Sequence, residues 1–207
     1  MMRIELHGAG KRFGRQWVFK DINYVFDAGG QYAILGKNGS GKSTFLKMLA
    51  GFLPPTKGHI RCYVDEINVE PDRMYAHLSV SAPYMELIEE FTLPELIRFQ
   101  RQCKALPNNN IIDKIIREAG LPSGDEKQIR QFSSGMKQRV KLILAMLSDA
   151  RLLLLDEPCS NLDREGREWY GRMLAGYGRN KTVFVASNHQ AEEYPGNFSL
   201  FTLSKFY

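Results

Sequence analysis

No apolar run in the 207 residues approaches the ~18 consecutive positions that a membrane-spanning helix needs. The opening, MMRIELHGAGKRFG, also lacks the apolar stretch of a secretory leader, so none is expected. Cysteine is scarce. Cys62, Cys103 and Cys159 are odd in number, far apart and in no metal-ligand spacing, which argues against both a disulfide framework and a thiolate metal site. They are read as packing thiols in a reducing cytoplasm. No block of five or more like charges occurs, although 28 basic residues outnumber 23 acidic ones to give a net charge of +5. So small an excess fits a solvated basic surface or an anionic membrane face as well as it fits nucleic acid. Internal repeats and low-complexity segments are absent as well.

What remains is an ordinary globular composition, 43% hydrophobic and 25% charged, long enough for one domain with a substantial core. Short β-rich stretches fill the first third: RIELHG, VFKDINYVF, QYAILG and GHIRCYV, separated by Gly, Asp and Pro turns. Helical repeats follow in LPELIRFQ and NIIDKIIREAG. Strands return as RLLLLDEP, KTVFVASNH and FSLFTLSKF, with a helix, DREGREWYGRMLAGY, between the first two. The alternation predicts an α/β core carrying a helical insertion at roughly 85–147.

GKNGSGKST, Gly36 to Thr44, satisfies G-x-x-x-x-G-K-[ST] in full. It follows the apolar strand YAILG and precedes the helical TFLKMLAG, the context a phosphate-binding loop requires. Glycines let successive backbone N–H groups turn inward on phosphate. Lys42 brings a point charge to the β- and γ-phosphates, and the Ser43 hydroxyl suits Mg²⁺.

RLLLLDEP is four leucines followed by two carboxylates. Such a run predicts a central parallel strand buried on both faces. Asp156 would emerge at its carboxyl end to hold Mg²⁺ through water, with Glu157 one residue further out as general base.

A third element, QFSSGMKQRVKLILAML, reads as a Ser/Gly turn opening a helix, with a buried stripe at Met136, Val140, Ile143, Leu144 and Leu147. The N–H groups at Ser133, Ser134 and Gly135 face the positive end of the helix dipole, which makes a second anion site. The plain alternative is an N-cap with no ligand.

In this order, these motifs resemble the ATP-binding cassette (ABC) ATPases over essentially the whole chain. The resemblance identifies Gly36 to Thr44, including Asn38, Gly39, Ser40, Gly41, Lys42 and Ser43, as the Walker A loop. It identifies Phe132 to Met136 as the signature, Asp156 and Glu157 as the Walker B pair, Ser160 to Asp163 (SNLD) as the D-loop, and His189 as the switch histidine. Phe13 in KRFG falls where the family stacks an aromatic on adenine, with Trp17 the competing ring. The implied fold is a P-loop NTPase of ABC type: a mixed or parallel sheet core, an antiparallel β lobe and an inserted helical subdomain. The core lobe would cover about 1–84 and 148–207, and the helical subdomain about 85–147.

The implied activity is ATP hydrolysis with Mg²⁺, in a head-to-tail homodimer whose two sites each hold ATP between one P-loop and the partner's Ser133–Gly135. With no membrane span of its own, such a subunit would need a separate transmembrane permease and would sit peripherally on the cytoplasmic face of the membrane. Direct nucleic-acid contact is not expected. The different-class alternative is a soluble cassette acting on nucleic acid or ribosomes, which in this family carries a long coiled coil or a second cassette. The chain stops soon after His189, so no regulatory extension is expected, as in small exporter-type cassettes.

Two departures from the family stand out. The usual glutamine before T-x-x-E falls near Ala82 or Pro83, neither of which ligates a metal, leaving Glu86 or water as substitutes. Ser134 and Met136 replace the common Gly and Gln of the signature. The apolar stretch Tyr84, Met85, Leu87, Ile88 and Phe91 is expected either to fill the joint between lobes or to receive a permease helix, most plausibly at Tyr84, Met85 and Leu87.

Overall fold

The computed structural model describes residues 1–122 and 127–203. Its strands form two sheets. One is antiparallel, in the order β2 (Gln16–Phe26), β1 (Met2–Phe13), β4 (Lys57–Val64), β5 (Ile67–Val69). The other is parallel throughout, in the order β6 (Leu78–Ser81), β7 (Leu152–Asp156), β8 (Thr182–Ser187), β3 (Gln31–Leu35), β9 (Ser199–Thr202). Around them run α1 (Lys42–Leu49), the single turn α2 (Met74–His77), α3 (Leu93–Cys103), α4 (Asn109–Glu118), α5 (Ser134–Leu147) and α6 (Arg164–Tyr177). None of the helices among the described residues is long and apolar enough to cross a membrane.

The parallel sheet separates two cores. Alternate residues of a strand face opposite sides, so Leu152 and Leu154 pack with Phe26, Phe45 and Leu49 on the side of α1 and the antiparallel sheet. Leu153 and Leu155 pack with Val140, Ile143 and Trp169 among the helices. Phe184 and Ala186 of β8 join the first core, Val183 and Val185 the second. This is why β7 reads as an unbroken apolar run. Each buried leucine is worth about 1.5–3 kcal/mol.

Helix starts are set by local chemistry. Glu95 closes a capping box on Thr92, accepting from its backbone N–H at 2.8 Å. Asn108 caps α4 through the Ile111 N–H, and Ser133 caps α5 through the Met136 N–H at 3.2 Å. The far end of α5 is satisfied by Lys181, whose buried Nζ donates to the carbonyls of Met146 and Ser148 at 2.7 Å each. Burial pulls that ammonium down to about 8.

Several elements differ from their sequence reading. β1 continues past RIELHG to Phe13 because irregular register near Leu6, Ala9 and Lys11 lets one long strand bend against both neighbours. β5 and α2 are too short for any periodicity to register. Of FSLFTLSKF, residues 199–202 form β9, and the last part lies outside the described residues. In α5, Val140, Ile143 and Leu147 are buried and Met136 and Leu144 half-buried, but Gln138, Leu142, Ala145 and Met146 are buried too. The helix packs on β6 and on α6, so its apolar face is wider than one stripe.

The thiols also need correcting. Cys62 and Cys159 are buried, but Cys103, at the end of α3, is exposed. Burial pushes both Cys62 and Cys159 up to about 12. The unfolded chain loses these protons near 9.0, so the stability they carry is complete below that pH and is lost as pH rises towards 12. A thiol reagent at pH 8 is expected to react quickly with Cys103 alone, and with all three thiols in denaturant. Fast labelling of a second thiol in the native protein would contradict this burial.

Candidate functional site

The strand register brings the candidate residues to one edge. Asp156 pairs with Ala186 and Leu35 with Ser187, so the carboxyl ends of the adjacent strands β7, β8 and β3 come out level. Gly36, Glu157 and the Asn188–His189 turn therefore emerge side by side. In an open parallel sheet this crevice beyond the strand ends is where ligands bind.

After β3 the chain curls back on itself. A Cβ at Gly36 would lie 2.2 Å from Ser40 Oγ, so only glycine permits that closeness. Gly41 carries φ +89° just before α1, and a Cβ there would strike Val18 at 2.3 Å. Lys42 is buried, and its ammonium donates to the carbonyls of Gly36 at 2.8 Å and Lys37 at 3.2 Å. Lys37, Asn38 and Gly39 are exposed, while Ser43 and Thr44 in the first turn of α1 are half-buried.

Asp156 closes β7 with 2% exposure. Burial raises its pKa, the Ser43 hydroxyl opposes this by hydrogen bonding, and the charge of Glu157 adds to the rise. Its Oδ2 is buried with no hydrogen-bond partner. An orphaned carboxylate oxygen facing a serine hydroxyl, with the Lys42 and Lys47 ammonium groups acting on it, is a donor set that fits a hard cation such as Mg²⁺. Ser43 and Asp156 would hold it, and when bound it would neutralise charge on phosphate oxygens. Glu157 is half-buried and adopts φ +46°, a left-handed conformation unusual for glutamate. Its N–H is held by the Ala186 carbonyl at 3.0 Å and its own carbonyl accepts from Ser160 N–H, which fixes the turn.

His189 is exposed and also left-handed, at φ +59°. The Ser187 hydroxyl accepts from Gln190 N–H at 3.1 Å and bends the chain around it. Phe13 ends β1 with 54% exposure, one face towards the Lys11 ammonium 5.4 Å away. Trp17 is half-buried, lying over Gly10 with the Arg12 guanidinium 5.6 Å from its ring. Of the two rings, Phe13 is the one left open.

Ser133 and Ser134 are exposed at the start of α5, and Gly135 is half-buried. They lie beside SNLD: a Cβ at Gly135 would stand 2.9 Å from the Asn161 carbonyl. Asp163 caps α6 through Gly166 N–H at 2.8 Å and accepts from Arg139 of α5 at 2.7 Å. The Gly166 hydrogen bond foremost, then the Arg139 charge, hold its carboxyl below the usual range. The N-cap reading of Ser133 is thus correct as chemistry, and it leaves a helix start open to solvent.

The segment without the glutamine splits in two. Ala82 is fully buried, its carbonyl accepting from the Lys141 ammonium at 3.3 Å. Tyr84 was missed as a site group. Its ring lies 3.9 Å from the Lys47 ammonium, and its phenol is pushed up to about 12 by burial and by the charge of Asp156. It does not line the groove proposed to receive a helix, whereas Met85, Glu86, Leu87 and Ile88 do, in a cavity of about 330 Å³. Phe91 is half-buried against the helical core and belongs to the joint. Tyr84 had a cue in being the aromatic next after Pro83. Nothing in the sequence marks Gln138, which ties α5 to the Pro158 carbonyl at 2.9 Å.

A glycine-bound phosphate loop after one parallel strand and a carboxylate pair at the end of another define a P-loop NTPase. Residues 19–160 match the family model for the ABC transporter, and the chain belongs to that family. It is 30% identical over 195 residues, 92% of its length, to the Nod factor export ATP-binding protein I of Bradyrhizobium diazoefficiens, and spans 64% of that relative. Its fold superposes on a putative ABC transporter ATP-binding protein from Pyrococcus furiosus with TM-score 0.82 at 18% identity, covering 99% and 98% of the two chains. A dimeric bacterial ABC transporter cassette, MJ0796, gives TM-score 0.77 at 22% identity, covering 97% and 94%.

The geometry sets an expectation for nucleotide binding. Lys42→Ala is expected to lower affinity for MgATP by about tenfold or more, the scale of one charge-assisted contact. Asp156→Asn should bind ATP with nearly the same affinity with and without Mg²⁺, whereas the wild type should gain from the ion. Titration with a fluorescent ATP analogue reads both. A Lys42→Ala protein with unchanged affinity would remove the P-loop from the binding site.

Proposed function

We propose that this chain is the ATP-binding and ATP-hydrolysing subunit of an ABC transporter, powered by ATP-driven dimerisation. The level strand ends carry the reading: they bring Gly36–Thr44, Asp156, Glu157 and His189 to one crevice, with a buried Asp156 oxygen left without a partner. Backbone N–H groups of Gly36–Thr44 and the Lys42 ammonium hold the phosphates, and Phe13 stacks on adenine. Ser43 and Asp156 would hold Mg²⁺. Glu157 accepts a proton from water as its oxygen attacks the γ-phosphorus, ADP leaves, and His189 contacts the γ-phosphate.

The site is completed by a second copy of the chain. Ser133 and Ser134, exposed at the start of α5, and the half-buried Gly135 beside them would grip the γ-phosphate of ATP bound to the partner. Support comes from the dimeric arrangement of the similar MJ0796 cassette. Hydrolysis removes the group held by both copies, which releases them.

The core lobe of about 1–84 and 148–207 would bind nucleotide, and the helical lobe of about 85–147 would relay its state. Between them, Met85, Leu87 and Phe99, with Lys104 and Lys141 also in the lining, form the groove for a helix of a separate transmembrane permease. The subunit would thus sit peripherally on the inner face of the membrane. No direct contact with nucleic acid is proposed.

Glu157→Gln should bind ATP without hydrolysing it and sediment as a dimer with MgATP, since both phosphate grips remain. A monomer that binds ATP normally would count against the shared site. Ser133→Arg should bind ATP as a monomer yet lose hydrolysis and dimerisation, and mixing it with Lys42→Ala should restore part of the activity through one intact site. Weakened ATP binding by the Ser133→Arg monomer would overturn the in-trans assignment.

Met85 is 39% exposed, so Met85→Glu should keep its melting temperature while losing association with membranes that hold the permease. A clear fall in melting temperature would make Met85 a core residue instead.

A further inference from the structure

Glu193 is a carboxylate in a place where carboxylates are costly. It has 2% exposure, closes the 3₁₀ turn Ala191–Glu193 after His189, and its Oε2 has no hydrogen-bond partner. An acid buried this far is rare unless it is paired.

Its surroundings come from three elements. Burial raises the pKa of its carboxyl, hydrogen bonding from the Ser187 hydroxyl and the Cys159 backbone N–H opposes this, and the charges of Glu157 and Asp156 add to the rise. Ser187 is the last residue of β8 and the same hydroxyl shapes the turn that carries His189. Cys159 follows two residues after Glu157, and its Sγ lies 3.8 Å from the Glu192 carbonyl. The fully buried Tyr170 of α6 donates its hydroxyl to the Glu193 carbonyl at 2.6 Å. One residue therefore touches the turn after β7, the turn after β8 and the helix that opens at Asp163.

Both turns need such a brace. Glu157 and His189 each sit at positive φ, a strained conformation that persists only when neighbours hold it. We propose that Glu193 is a positioning residue that locks the Glu157 turn and the His189 loop in one relative geometry. The proposal rests on the reading of this crevice as an ATPase site. Glu193 is too buried to reach a ligand in the crevice directly. It acts through Ser187 and Cys159, as outer-shell partners act on the groups that react.

The test compares full-length wild type, Glu193→Ala, Glu193→Gln and Ser187→Ala, with MgATP turnover, KM and melting midpoint measured on each. Glu193→Gln keeps an acceptor oxygen in the same shape and is expected to stay near wild type in kcat. Glu193→Ala should lose about tenfold or more in kcat with KM within about twofold, as misplacement of reacting groups does. Ser187→Ala severs the link to the His189 turn together with the hydroxyl's own bonds to Gln190, and should lower kcat several-fold. The double variant Glu193→Ala/Ser187→Ala should be no slower than Glu193→Ala alone.

A kcat for Glu193→Ala within twofold of wild type overturns the proposal. So does a Glu193→Gln protein that melts like wild type yet is as slow as Glu193→Ala. If Glu193→Ala does not fold, Ser187→Ala decides, and an unchanged kcat there overturns the proposal equally. Wild type without any turnover would defeat the ATPase reading itself, whereas active wild type with unaffected variants would defeat this inference alone.

Discussion

Everything at the candidate site depends on three parallel strands ending at the same level. Pairing of Asp156 with Ala186 and of Leu35 with Ser187 fixes where the P-loop, the acid pair and the histidine turn leave the sheet. A slip of one residue would turn each strand's apolar set to the opposite face. The register is secured because the sheet is covered on both sides: Leu153 and Leu155 belong to one core, Leu152 and Leu154 to the other. The site is thus positioned by burial far more than by its own polar contacts.

The polar groups at that edge are held under tension. Asp156 and Glu193 are buried carboxylates, and each keeps one oxygen without a partner. Glu157, Asn161 and His189 occupy left-handed backbone that other residues would avoid. Such features destabilise a fold and are tolerated where a ligand or a reaction needs them. Asp21, Asp65 and Glu66 are left-handed too, so what sets the carboxyl ends of β7 and β8 apart is that strained backbone and buried unpaired carboxylates occur there together.

Nucleotide site and groove meet at one short segment. Ala82 is pinned by Lys141 of α5, Tyr84 turns back onto Lys47 beside Asp156, and Met85 to Ile88 face the groove. A cation or phosphate arriving near Asp156 would act on Tyr84 within two residues of the surface proposed for the permease.

The sequence alone determined the phosphate loop, the central strands and the order of the motifs. It could do so because these rest on local rules: glycines that must turn, an apolar run that must be buried, a cap before a helix. It also yielded the family resemblance, since the motifs stand at the ends of elements whose periodicity is strong. Tertiary structure alone decided that Phe13 rather than Trp17 is the open ring, that Cys103 is exposed, and that Tyr84 belongs to the site instead of the groove. It alone revealed Glu193 and Gln138, whose neighbours lie far away along the chain. Burial, the facing of rings and the convergence of distant segments are set by how sheets and helices pack, and no local pattern encodes them.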